Sequence, residues 1–189
     1  MNLLIWGHVL LILCCAFYLI WWGTAFRPGF EGSRVGGVEG ILLILTALFG
    51  LAGMAVTIIG INVGERPIPP LLPTLVITIG GVVVYCVLLA LTSLIMHRQV
   101  TTELLLIVGW LVLELCSVNA AYSAGIYGKT AAFLIMISAA VISAASLGFY
   151  LAYYRVKPFT GYIFGMIPLI LIGISMGVNV ICMKSMQTV

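Results

Sequence analysis

The chain has 189 residues, of which 63% are apolar and 7% charged, and its formal net charge is +3. Soluble proteins average about 45–50% apolar and about 25% charged residues, so thirteen charged side chains are too few to build a water-facing exterior here. That composition excludes an ordinary soluble enzyme, and the absence of any Lys/Arg run excludes nucleic acid as a partner.

A helix needs about 20 apolar residues to cross a bilayer, and the sequence supplies six such stretches. The first predicted span covers 3–23 and closes on Trp21 and Trp22, which suit an interfacial aromatic belt. It lacks the basic start of a signal peptide and is read as retained. The polar loop from Phe26 to Arg34 follows. The second span covers 38–62 and leads into the proline-rich connection Arg66-Pro67-Ile68-Pro69-Pro70. The third covers 71–96 and ends at His97-Arg98. The fourth covers 103–126, and Tyr127-Gly128-Lys129 reads as a tight turn. The fifth covers 130–154. The sixth covers 160–183, with Pro168 inside it removing a backbone donor and freeing a carbonyl one turn earlier. The expected fold is therefore all-α, a single polytopic membrane bundle of six helices over 1–189.

Loops after the odd spans carry Arg27, Arg34, Arg98, Arg155 and Lys157, against Arg66, Lys129 and Lys184 on the other side. Positive charge marks the cytoplasmic face, so both termini are expected on the non-cytoplasmic side, in a bacterial plasma membrane. A weak internal match also runs through the chain. Gly7-His8-Val9-Leu10-Leu11 to Cys14 aligns with Gly109-Trp110-Leu111-Val112-Leu113 to Cys116, and Pro73 to Cys86 aligns with Pro168 to Cys182. Three spans per unit would invert the second half, so halves 1–98 and 99–189 form a candidate 3+3 inverted repeat, a recurrent transporter plan.

Helices in lipid associate through close backbone approach at small residues. Span six carries Gly161, Gly165, Gly173 and Gly177 in a four-residue register, and span five carries Ala140, Ala144 and Gly148. Span two carries Thr46 and Gly50, then Gly53 and Thr57. All three stripes read as helix–helix interfaces.

Glu114 carries the most chemical information. It lies near the middle of span four, where an ionised side chain costs about 2.5–3.5 kcal/mol on insertion scales. It should face the bundle interior, either as a proton-coupling or ligand-binding carboxyl or as a neutral group bonded to a carbonyl or to Asn179. Ser117 shares its face, Asn119 and Tyr122 lie on the neighbouring one, and Asn179 is the other deep amide. Asn119 and Asn179 also read simply as cross-helix hydrogen bonders. His8 and His97 fall at opposite ends of the bundle and cannot share a haem or metal. The five cysteines lie within apolar stretches with no C-x-x-C pair, which reads as packing rather than a disulfide framework.

No metal-ligand spacing, nucleophile elbow or phosphate loop occurs, and with no Asp in the chain there is no paired-aspartate site. No cofactor and no catalytic set are expected. The expected function is a small secondary transporter or permease whose site lies near Glu114, Asn119 and Asn179. The alternative is a non-catalytic membrane subunit of a larger complex. The size and span count are similar to those of the substrate-binding subunits of energy-coupling-factor transporters, a likeness of architecture alone. A lipid- or quinone-active membrane enzyme comes third. The expected partners are membrane lipids, a second copy or other membrane subunits, and a small solute or ion.

Overall fold

The computed structural model describes residues 2–26, 37–63, 66–95, 102–153 and 155–187. The loop 27–36, Glu65, the His97-Arg98 pair and the Glu103 side chain lie outside the described residues. Six helices form: α1 (Asn2–Ala25), α2 (Val38–Val63), α3 (Thr74–Ala90), α4 (Thr102–Ser123), α5 (Lys129–Tyr153) and α6 (Pro158–Gln187). α3 runs on into a π-helical turn, Leu91–Ile95. No strand occurs among the described residues, and all six helices are long and apolar enough to cross a membrane. The exterior is apolar too, with Leu51, Leu75 and Ile181 each about two-thirds exposed, which suits hydrocarbon better than water.

Two predicted boundaries shift for local reasons. α3 begins at Thr74, not at residue 71, because Pro73 holds an extended ψ of 130° and the residue before a proline avoids helical geometry. α4 stops at Ser123, three residues before the predicted end. There the Ile126 N–H donates to Ala121 O and the Gly125 N–H to Tyr122 O. Gly125 sits at φ 79°, the left-handed position that closes such a helix end. The chain then turns Tyr127 back under the bundle, where it is 1% exposed.

The helices are unequal in burial. α1 packs along α2 and α6, while α4 touches α2, α3, α5 and α6. The most apolar stretch of α4 is 61% buried and that of α3 only 6%, so α4 is the axis and α3 an outrigger. α1 and α2 run as an antiparallel zipper in one constant register. A β-carbon at Gly60 would meet Leu4, one at Gly53 would meet Leu11, and one at Gly50 would lie 3.1 Å from Cys14 Sγ. Gly7 faces Thr57 in the same way. The small-residue stripe of α2 is thus a packing face, as expected.

The stripe expected on α5 is not. Ala140, Ala144 and Gly148 lie on its exposed side, and the buried face is Ala132, Met136, Ala139, Ser143, Ser146 and Tyr150. α5 holds two interleaved rows of small residues, and the row bearing Ser143 and Ser146 turns inward, where the Ser146 hydroxyl bonds to a helix carbonyl. Ser146 donates to Ile142 O at 2.9 Å and lies 3.4 Å from Pro168 O across the interface with α6. On α6 the glycine ridge is split. Gly165 seats the Trp22 ring and Gly161 lies against Tyr153, whereas Gly173 and Gly177 have open space where a β-carbon would stand.

Candidate functional site

Glu114 sits just past the middle of α4, and its side chain is 3% exposed. It faces α6, where Ser175 Oγ donates a 2.8 Å hydrogen bond to Glu114 Oε1. One turn further along α6, on the same face, is Asn179, which is fully buried. The Tyr127 hydroxyl donates to Asn179 Oδ1 at 2.7 Å. That bond fixes the amide's orientation, so its NH₂ points the other way, and Asn179 Nδ2 lies 3.4 Å from His8 Nε2. His8 Nδ1 is 2.8 Å from Leu4 O. A carbonyl accepts only, so Nδ1 carries the proton and Nε2 presents its lone pair to Asn179. Burial pushes the Tyr127 phenol up, with the Cys182 and Glu114 charges adding to the shift, so Tyr127 remains a donor at ordinary pH.

These residues form two hydrogen-bonded groups one turn apart on α6, Glu114–Ser175 and Tyr127–Asn179–His8, which line up through the interior. Glu114 and Ser175 lie at mid-helix depth; His8, Asn179 and Tyr127 lie toward the end that carries both termini. The sequence pointed to Glu114 and Asn179 and missed His8, Ser175 and Tyr127. Ser175 had a readable signal, standing four residues before Asn179. His8 had one as well, because it lies between Leu4 and Leu11 on the face that Gly7 turns toward α2.

The other expected site residues are placed elsewhere. Asn119 clamps the proline-rich connection: its Oδ1 accepts from Leu71 N at 2.9 Å and Leu72 N at 3.4 Å, and its Nδ2 donates to Leu72 O at 2.6 Å. Nearby, Ile68 N donates to Ser123 O. Every polar atom of the Asn119 side chain is thereby engaged with backbone. Ser117 is buried and donates to Leu113 O at 2.7 Å, one turn back on its own helix. Tyr122 is half-buried against the apolar cluster around Val118 and Tyr127. Neither Ser117 nor Tyr122 joins the line through Glu114.

A cavity of about 730 Å³ lies between α2 and α3, floored by α1 and α4. Thr46, Gly50, Gly81, Tyr85, Trp110 and Leu113 are among its walls, which are almost wholly apolar. Glu114 and Asn179 are not among its lining residues. The cavity exists because α2 and α3 pack on α1 and α4 with little contact between themselves. Cys14 lines it too, and Cys15 is buried beside it; all five thiols are free.

The class these features define is an all-helical bundle with six membrane-length helices and a buried carboxyl–hydroxyl–amide–imidazole line. Comparison with protein-family models, with curated proteins and with solved structures gave no match. The function must therefore be read from the chain's own residues.

Proposed function

We propose that this chain is a small secondary transporter or permease-type membrane protein in which Glu114 is the coupling carboxyl. The observation that carries this reading is the placement of Glu114: a carboxyl 3% exposed on the most buried helix, held by a single hydroxyl from α6. An ionisable group at membrane depth is costly to keep unless it works. The same reading takes the two halves as inverted repeats. In support, α1 packs on α2 as α4 packs on α5, and α1 meets α6 as α4 meets α3. The correspondence stops at α2 and α3, which stand apart where α5 and α6 are closely packed, and at α4, which touches α6 and α2 while α1 lacks the equivalent contacts with α3 and α5. Such a difference between halves is what alternating access requires of two equivalent units. Loops rich in arginine after the odd helices place the termini outside in this reading.

The test is purified protein in liposomes with an internal pH dye and a panel of solutes. Solute-dependent flux is expected, lost in Glu114→Gln. Flux undiminished by that substitution would reject Glu114 as the coupling group.

A second reading is favoured by a different observation. The apolar cavity beside the scarcely buried α3 suits a non-catalytic subunit that packs within a larger membrane complex. Extraction in mild detergent distinguishes the two: a monodisperse monomer free of other polypeptides supports the permease, and a stoichiometric partner supports the subunit.

A further inference from the structure

We propose that the ion coupled at Glu114 is the proton, and that it reaches Glu114 from the terminus-bearing end of the bundle by way of His8. The inference rests on the reading of Glu114 as the coupling carboxyl. It turns first on the donor set. A hard cation needs a cage of several oxygen atoms with lone pairs turned inward. Around Glu114 the one side chain in hydrogen-bond contact among the described residues is Ser175, and it directs its hydrogen, not a lone pair, at Oε1. Ser117, the next hydroxyl along α4, is bonded to Leu113 O. A carboxyl met by a donor is arranged to exchange hydrogens.

The route follows from the orientation of the line. Tyr127 sets the Asn179 amide, the amide aims its N–H at His8 Nε2, and Leu4 O holds the proton on Nδ1. His8 Nε2 is thus the basic atom left in this part of the core, covered only by a long 3.4 Å contact. It lies about 9 Å along α1 from Asn2, by helix rise. The titratable groups around the line are Tyr127, Cys182 and Glu114. Tyr127 stays protonated, and of the other groups His8 and Glu114 are the two that hydrogen-bond to the α6 side chains Asn179 and Ser175, which makes them the two stations of the relay.

The step balances without a co-reactant. Hydronium from the terminus-side surface gives a proton to His8 Nε2, forming the imidazolium and breaking the Asn179 contact. The imidazolium then returns to its neutral Nδ1–H form as the Glu114 carboxylate becomes a carboxylic acid, with Ser175, already bonded to Oε1, as the last relay. Asn179 and Ser175 stand one turn apart on one face of α6, with about 5–6 Å between their β-carbons, and a water molecule entering from the terminus-side surface carries the proton across that gap. Relays of carboxyl and histidine groups are a recurrent use of ionisable residues inside membranes.

Infrared spectroscopy of the reconstituted full chain tests this. The protonated-carboxyl band of Glu114 is assigned by its loss in Glu114→Gln, and its exchange with D₂O is timed. His8→Gln keeps an acceptor for Asn179 but cannot carry a proton, and Tyr127→Phe keeps the ring but frees the amide. Both should slow the exchange by about tenfold or more, while the exposed-site control Ser138→Ala leaves it unchanged. Normal exchange in His8→Gln overturns the proposal, as does the absence of any carboxyl band that Glu114→Gln removes. The measurement needs no solute. Slowed exchange in a chain that moves no solute would sink the permease reading alone, and solute flux with exchange indifferent to His8 would sink the relay alone.

Discussion

Trp22 and Tyr162 are joined across the α1–α6 interface, where hydrogen bonds run in both directions between the two helices. The indole N–H donates to Tyr162 O at 3.2 Å, and the Tyr162 hydroxyl donates to Gly23 O at 3.3 Å. The contact is possible because Gly165, one turn below Tyr162 on α6, offers no side chain where the Trp22 ring lies. It fastens the end of the bundle opposite the chain termini, as the Tyr127–Asn179 bond fastens the other.

Gly165→Val should therefore destabilise the protein by about 1–3 kcal/mol, the usual cost of overpacking a filled site. Gly173→Ala and Gly177→Ala, in the same four-residue register but facing open space, should change stability by no more than about 0.5 kcal/mol. Thermal unfolding of the three variants in one detergent compares them directly. Equal losses at all three positions would contradict the split described for α6.

The α1–α2 zipper makes a second graded prediction. A β-carbon at Gly53 would stand 2.8 Å from Leu11 Cδ2, and one at Gly7 would stand 2.8 Å from the Thr57 backbone nitrogen. A leucine methyl can turn aside and backbone cannot, and the nearest backbone atom at Gly53, Leu11 N, stands further off at 3.0 Å. Gly7→Ala should thus cost more than Gly53→Ala, with the larger loss in the range of about 1–3 kcal/mol. Chemical denaturation followed by tryptophan fluorescence would order the two.

Asn119→Ala removes the three contacts that hold Leu71 and Leu72. Leaving buried backbone groups unpaired costs about 1–3 kcal/mol. The sharper readout is local, since amide hydrogen exchange at Leu71 and Leu72 should accelerate while the amides of α4 stay protected. Unchanged exchange there would mean that the prolines alone hold the segment.

Ser175→Ala leaves the Glu114 carboxyl buried without its donor, so a loss of about 1–3 kcal/mol is expected. The double variant Ser175→Ala/Glu114→Leu should recover part of that loss, because replacing both polar partners with apolar groups is nearly neutral. Thermal unfolding of the single and double variants gives the answer, and a double variant less stable than Ser175→Ala would count against the pairing.

Much of the architecture was legible because its causes are compositional. Six greasy stretches define six helices, and a lone carboxyl in such surroundings must turn inward, as Glu114 does. The α2 stripe was legible because Gly50, Gly53 and Thr57 leave one face clearly smaller than the rest. The α5 face was not, since Ala140, Ala144 and Gly148 compete with a second row one helical step away. What decided between them was hydroxyl chemistry: Ser143 and Ser146 avoid hydrocarbon by turning inside, which residue size alone does not encode. Asn119 was misleading for a related reason. Its partners are backbone atoms 47 and 48 residues away, and a sequence shows side chains but not which main-chain groups a proline-rich bend leaves unpaired. Tyr127 was hidden behind Gly125, whose left-handed turn sends it back inside.

α3 is attached unlike its neighbours. Pro73 interrupts the chain before it, a π turn follows it, and of its two glycines only Gly81, against Val112, closes on α4 without room for a β-carbon. Peeling it away strands no buried amide and breaks none of the bonds around His8, Asn179 or Glu114. Under rising denaturant or heat this helix should come loose as a separate event, before the melting of the trio α1, α4 and α6. The main unfolding midpoint would then belong to that trio alone, with α3 already detached.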